Sequence, residues 1–240
     1  MTDTEDHAIA DDEYLTLAFY VVVDVSFSMR QSGAIDAAND LLPRIIDAIR
    51  SNPMVADVVR LGMIDFSDDA KVLLGLSDLR DVTHIPQLQE RGATSYAAAF
   101  RLLHQEIDRD IRQLKADRMR VYRPAVFFIT DGLPTDESGY LQAAFAELTD
   151  SSFRFRPNII PFGVGDATKA ALDPWVFPAG GPKPMRSYVS KDGADPAKAI
   201  NQVAEILISS ILASASSVTS AGTGGGFVPP DDEDLDDDWM

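Results

Sequence analysis

The sequence predicts an α/β fold: a doubly wound, mainly parallel central sheet with helices on both faces and one antiparallel edge strand. Two observations carry this. Strand-like apolar runs alternate with segments of helical periodicity along most of the chain. Three of those runs, LAFYVVV (17–23), AVFFIT (125–130) and NIIPFGV (158–164), are apolar on successive rather than alternate residues. That is the pattern of central strands covered on both faces.

The elements follow in order. A first strand over 17–23 leads into a helix on which Ile35, Ala38, Leu42, Ile45, Ile46 and Ile49 recur at helical spacing. Pro43 lies inside that pattern and predicts a kink or a break, because it removes one backbone donor. Strands follow over 58–66 and 71–76, the latter being the antiparallel edge. Tyr96, Phe100, Leu103, Ile107, Ile111 and Leu114 mark a second long helix. After the strand over 125–130 come a helix near 140–148, a strand over 158–164, a short strand near 186–189 and a last helix over 196–213.

At 240 residues and 45% hydrophobic, the chain can bury one substantial core. The expected organisation is an acidic N-terminal arm (1–13), one domain (14–213) and a flexible Gly/Ser-rich and acidic C-terminal tail (214–240). Of the formal net charge of −17, residues 1–13 supply six acids and residues 231–240 seven, with no Lys or Arg in either segment. This balance argues against nucleic acid and anionic membrane as partners. Cysteine is absent, which excludes thiolate metal sites and thiol nucleophiles. With an acidic start and no signal-like segment, the expected location is cytoplasmic.

Ligands of open parallel sheets bind beyond the carboxyl ends of the strands. Asp24 stands at such an end, in DVSFS, and Asp24, Ser26 and Ser28 offer one carboxylate and two hydroxyls from a single turn. Hard oxygen donors suit Mg²⁺, with Mn²⁺ a competent substitute and Zn²⁺ less suited. Three oxygens are too few for an octahedral ion. Two further positions at predicted strand or helix ends complete the set: Thr94 in RGATSY and Asp131 in FFITDG. Each residue alone has a plainer reading: the serines and Thr94 as helix caps, Asp131 as the start of a turn with Gly132. It is their joint occurrence that points to a metal.

DVSFS, the threonine of GATS and the aspartate of ITDG, separated by 70 and 37 residues, resemble the metal-ion-dependent adhesion site (MIDAS) of von Willebrand factor A (VWA) domains. The resemblance implies that Ser26, Ser28 and Thr94 coordinate the ion, and that Asp24 and Asp131 act directly or through water. It also implies that a partner protein's Asp or Glu completes the shell. One departure is Phe27, where the family usually has glycine between the serines; it is expected as an apolar contact on the rim of the site or as simple packing. YVVVDVSFSM, GATSYAAAFRLL, ITDGLPTD and IIPFGVGDA are most similar to the bacterial TerY and YegL type. That type implies a role in tellurite resistance and stress response, with a protein kinase and a phosphatase as partners. The alternative within the family is an adaptor subunit of an AAA+ ATPase of the MoxR or chelatase type.

Catalysis is not expected. Ser26 replaces the second aspartate of a haloacid-dehalogenase phosphatase, and there is no GxSxG elbow for a serine hydrolase. His7, His84 and His104 lack metal-ligand spacing, and GVGDATK and GTGGG lack the GK[ST] ending of a phosphate loop. Asp65 is expected as a surface or supporting carboxylate. The terminal Trp239 and Met240 suggest that the acidic tail docks. Its candidate surfaces are a partner, a neighbouring copy's metal, or the basic stripe of Arg112, Lys115 and Arg118, in a region with seven Lys or Arg against four acids.

Overall fold

The computed structural model describes residues 14–180, 184–221, 225–231 and 239. Seven strands form one sheet: β1 (Tyr14–Asp24), β2 (Val59–Phe66), β3 (Ala70–Ser77), β4 (Met119–Val121), β5 (Ala125–Thr130), β6 (Asn158–Gly163) and β7 (Tyr188–Val189). The order across the sheet is β3-β2-β1-β5-β6-β7, with β4 beside the first residues of β1. Every pairing is parallel except β2 with β3, so β3 is the antiparallel edge.

The unbroken apolar run of β1 is explained by its two faces. Leu17, Phe19, Val21 and Val23 enter one core, whereas Ala18, Tyr20 and Val22 enter the other. The first core is closed by α1 (Phe27–Gln31), α2 (Ala34–Asn39), α3 (Leu41–Arg50), α4 (Pro53–Val58) and the long α8 (Pro196–Ala221). The second is closed by α5 (Tyr96–Ala116), α6 (Ser138–Thr149) and α7 (Lys169–Leu172). In the second core Phe66, Tyr96, Phe100 and Phe128 form a ring cluster with centroids 4.9–6.3 Å apart. Each such ring contributes about 1.5–3 kcal/mol by burial.

The break expected near Pro43 falls at Asp40, between α2 and α3. Pro43 then sits in the first turn of α3, where a missing N–H leaves no intrahelical bond unmade. The three-residue β4 was not foreseen, being too short to show a period.

The tail boundary at 213 needs correction. α8 continues to Ala221, with Ser214 and Val218 fully buried. The Ser and Ala residues that resemble a solvated linker give this part of the helix a low profile, so the following segment approaches closely. The Val228 N–H donates to Ser214 Oγ (2.9 Å), and Phe227 packs 6.2 Å from the rings of Phe19 and Phe127. Trp239 is buried too. Its ring meets Phe162 edge-on at 6.1 Å, its Nε1–H donates to Gln202 (3.1 Å), and its backbone bridges Ser190 beside β7. The tryptophan expected to anchor a partner, or to bring the tail onto the basic stripe, therefore anchors on its own domain beside β7. The arm over 1–13 and the acids over 232–238 lie outside the described residues. By length and composition α8 could cross a membrane, but half of its apolar stretch is buried, and it packs on α2, α3, α4 and β1.

Truncation after residue 213 should remove Ala215, Val218 and Trp239 from the core and lower the unfolding free energy by on the order of 5 kcal/mol. Urea denaturation followed by circular dichroism measures this; a flexible tail would leave the midpoint unchanged.

Candidate metal centre

β1 ends at Asp24, level with Phe66 of β2, and delivers its carboxylate fully buried at the carboxyl end of the sheet. Asp24 Oδ1 accepts from the Ser26 N–H (2.8 Å) and Oδ2 from the Thr130 hydroxyl (2.7 Å). Ser28 donates to Asp131 Oδ1 (2.7 Å). Its proton so committed, Ser28 receives that of Ser26 across 3.0 Å. Four of the five expected ligands, Asp24, Ser26, Ser28 and Asp131, thus lie in one connected cluster, with Ser32 3.4 Å from Asp131 Oδ2.

The fifth, Thr94, is brought alongside by backbone lacing. The Phe27 N–H donates to Gly92 O (3.1 Å), the Arg91 N–H to Val25 O (2.8 Å) and the Thr135 N–H to Thr94 O (2.8 Å), which ties the three loops to one another. The plainer reading of Thr94 as a cap fails, because Ser95 caps α5: its Oγ accepts from the Ala98 N–H (3.1 Å) and donates to Asp136 (2.6 Å). The Thr94 hydroxyl is left without a hydrogen-bond partner among the described residues. Ser26 precedes α1 but its side chain makes no cap bond, so its hydroxyl too belongs to the cluster. Phe27 is 55% exposed, as a rim residue would be, and Leu133, not foreseen, is 57% exposed in the Asp131 loop.

Residues 19–133 match the sequence model of the von Willebrand factor type A domain. The same fold recurs in solved structures. A PilB minor pilin variant from Streptococcus sanguinis aligns with a TM-score of 0.59 at 12% identity, over 88% of this chain and 64% of that one. The pilus adhesin SpaC from Lactobacillus rhamnosus GG aligns at 0.58 and 15%, over 82% and 30%. Proximal thread matrix protein 1 from the mussel byssus, with a zinc-occupied MIDAS motif, aligns at 0.53 and 13%, over 85% and 49%. The fold is that of von Willebrand factor A domains, and residues 19–133 are similar to that family in sequence. The chain spans between about a third and two thirds of the length of these three structures. No curated protein matches it in sequence.

The electrostatics of this site fit a cation. Burial pushes Asp24 up to about 6, against the hydrogen bonds from Ser26 and Thr130, and the charge of Asp131 adds to the rise. Burial also raises Asp131, against its bonds from Ser28 and Ser32. Arg30 and Arg91 lie in the flanking segments, but Arg30 pairs with Glu90 (2.8 Å) and Arg91 with Asp65 (2.8 Å), so neither is committed to the two carboxylates. The Ser67 hydroxyl, buried just beyond the Asp24–Phe66 pair, has no partner among the described residues. Those residues contain no group of three His, Asp or Glu side chains suited to a metal, so an ion here depends on two carboxylates with serine and threonine hydroxyls. All donors are oxygen, as a hard divalent ion requires.

Of the two readings offered for Asp65, the supporting one holds: it is buried and takes a two-pronged bond from Arg91 (2.8 and 3.1 Å), fixing the segment before Thr94. Other supporting residues escaped the sequence. Asp68 accepts from the Ala93 N–H (2.9 Å), and a Cβ on Gly92 would fall 1.5 Å from Asp68 Oδ2. Only glycine fits there while that bond is kept. Thr130, next to Asp131 in ITDG, was the one with a visible signal: a hydroxyl at the end of a buried strand.

Arg91→Ala should strand the Asp65 carboxylate and cost about 3–5 kcal/mol of stability. Arg30→Ala, which removes an exposed pair, should cost less than about 1 kcal/mol. Chemical denaturation of the two variants side by side checks the contrast.

Proposed function

We propose that the A domain is a metal-dependent protein–protein interaction module without catalytic activity. The observation that carries this reading is the pair of buried carboxylates, Asp24 and Asp131, linked through serine hydroxyls and forming no ion pair among the described residues, beside the exposed Phe27 and Leu133. Asp24, Ser26, Ser28, Thr94 and Asp131 would hold the ion. When bound, the ion supplies a concentrated positive charge that an acidic side chain of a partner can meet. Phe27 and Leu133 would add apolar contact around that polar centre. Ser26 and Ser28 bond each other and Asp131 rather than a histidine, which supports a binding rather than a nucleophilic role.

The zinc-occupied MIDAS of the mussel protein supports a divalent ion in this type of motif. Mg²⁺ is our choice for this chain, because an all-oxygen set offers zinc no nitrogen or sulfur ligand. The segments that resemble the TerY and YegL type support a cytoplasmic role in bacterial stress response. In that role the acidic partner side chain belongs to a kinase or phosphatase.

Mg²⁺ at a hundred times its dissociation constant should stabilise the protein by about 2.7 kcal/mol. Thermal melts in Mg²⁺, Mn²⁺ and Zn²⁺ against EDTA read this directly and rank the ions. Asp24→Ala should abolish the metal-dependent shift. Thr94→Ala should weaken metal binding while leaving the melt in EDTA nearly unchanged; an undiminished metal response would remove Thr94 from the ligand set. Capture of protein partners from the native cytoplasm should be lost in EDTA and in Asp24→Ala. Partners retained under both conditions would overturn the mechanism.

A further inference from the structure

At the pole of the sheet opposite Asp24, just before β5 and β6 begin, lies a cavity of about 200 Å³ with four cationic side chains in its wall: Lys115, Arg123, Arg154 and Arg156. In a chain of formal charge −17 this is an unusual concentration of positive charge. Among the described residues no carboxylate forms an ion pair with any of the four. Lys115 Nζ stands 4.7 Å over the Phe155 ring, and Arg123 donates to the Arg156 carbonyl (3.1 Å) and to Asn158 Oδ1 (3.5 Å). Asp150 feels the charge of Arg156, yet its carboxylate accepts from the Ser152 N–H (2.7 Å). Nearby Arg112 and Asp117 are already occupied, Arg112 by Asp108 and Asp117 by Gln113. Burial and the neighbouring charge of Arg156 hold the Arg123 guanidinium below its ordinary value.

A second, independent observation names the anion. Tyr14 pairs with Met119 and Thr16 with Val121, and Val121 lines the cavity. The residues that precede Tyr14 therefore join the fold at the cavity's edge. They carry six acids and no Lys or Arg, and Asp11, Asp12 and Glu13 immediately precede Tyr14. Thirteen residues reach up to about 40 Å when extended, far beyond what the adjacent cavity demands. A tether this short holds its acids at an effective concentration on the order of millimolar.

We propose that the basic cavity is a recognition site for acidic peptide, and that its resident occupant is the chain's own arm, residues 1–13. The arm neutralises Lys115, Arg123, Arg154 and Arg156 in cis, and a partner that engages this pole must be acidic and must displace it. The site is independent of the metal centre.

The test uses the full chain and a fluorescein-labelled synthetic peptide of residues 1–13, with anisotropy at low salt. Three proteins are compared. One is native. One has a neutral arm (Asp3→Asn, Glu5→Gln, Asp6→Asn, Asp11→Asn, Asp12→Asn, Glu13→Gln). The third adds Arg154→Ala and Arg156→Ala to the neutral arm. The neutral-arm protein should bind the peptide and release it as salt rises. The native protein should bind about tenfold more weakly, because its own arm competes. The third should lose binding, with a circular dichroism melt like that of the neutral-arm protein. The proposal is overturned if the neutral-arm protein ignores the peptide, if the native protein binds it equally well, or if binding survives loss of both arginines. Uptake of inorganic phosphate without the peptide would also overturn it, by marking a site for small oxyanions. Substitutions at this pole should leave the Mg²⁺-dependent melt unchanged, which separates failure here from failure at the metal centre.

Discussion

The burial of Asp24 is the constraint on which the functional end of the molecule depends. A carboxylate taken fully out of water at the end of a central strand is costly unless something answers its charge. Here the answer within the protein is only partial: one backbone N–H, the Thr130 hydroxyl, and a second carboxylate that makes matters worse. The loops that carry Ser26, Ser28, Thr94 and Asp131 are arranged around that shortfall. Their backbones are fastened to one another while several hydroxyls stay uncommitted to secondary structure. Rigid loops with spare oxygens are what a cation site needs, because the cost of ordering the ligands has been met during folding.

The supporting shell shows how this rigidity is reached. Arg91 is held by the buried Asp65, Asp68 closes over Gly92, and Asp136 grips both Ser95 and the Ala97 N–H at the start of α5. None of these groups belongs to the candidate ligand set. Each fixes a residue adjacent to one, so a change at Asp65 or Asp136 would be felt at Thr94 without touching it. The 78–95 segment, which has no regular structure of its own, is fastened at its other end by Arg50 to Leu79 O (2.9 Å) and by Asn39 to the Leu88 N–H (2.7 Å).

Much of this was legible in the sequence, and for definite reasons. Continuous apolar runs reveal two-sided burial, so β1, β5 and β6 and their parallel arrangement could be read directly. The edge position of β3 could be read too. Four of the five candidate ligands could be read because chemistry-bearing residues stood at or just past the ends of β1 and β5; the fifth, Thr94, stands before α5. The misses also have causes. β4 is three residues long and shows no period. Asp65 could be read as a supporting carboxylate, but its partner Arg91, 26 residues away, could not. The region after 213 misled most, because serine and alanine suggest disorder by composition. In fact their small size is what lets Phe227 and Val228 pack against helix and sheet. Composition records how little a residue buries by itself, not how much it allows a neighbour to bury.

That last segment has a consequence for how the protein is made. Phe227 covers Phe19, and Trp239 covers Phe162, so aromatic rings of the first strand and the sixth are sealed by residues that follow much later in the sequence. While these residues are still inside the ribosomal tunnel, one layer of the nascent domain is incomplete and its apolar face is open to water or to a chaperone. Residue 239 must have left the tunnel before the fold can close.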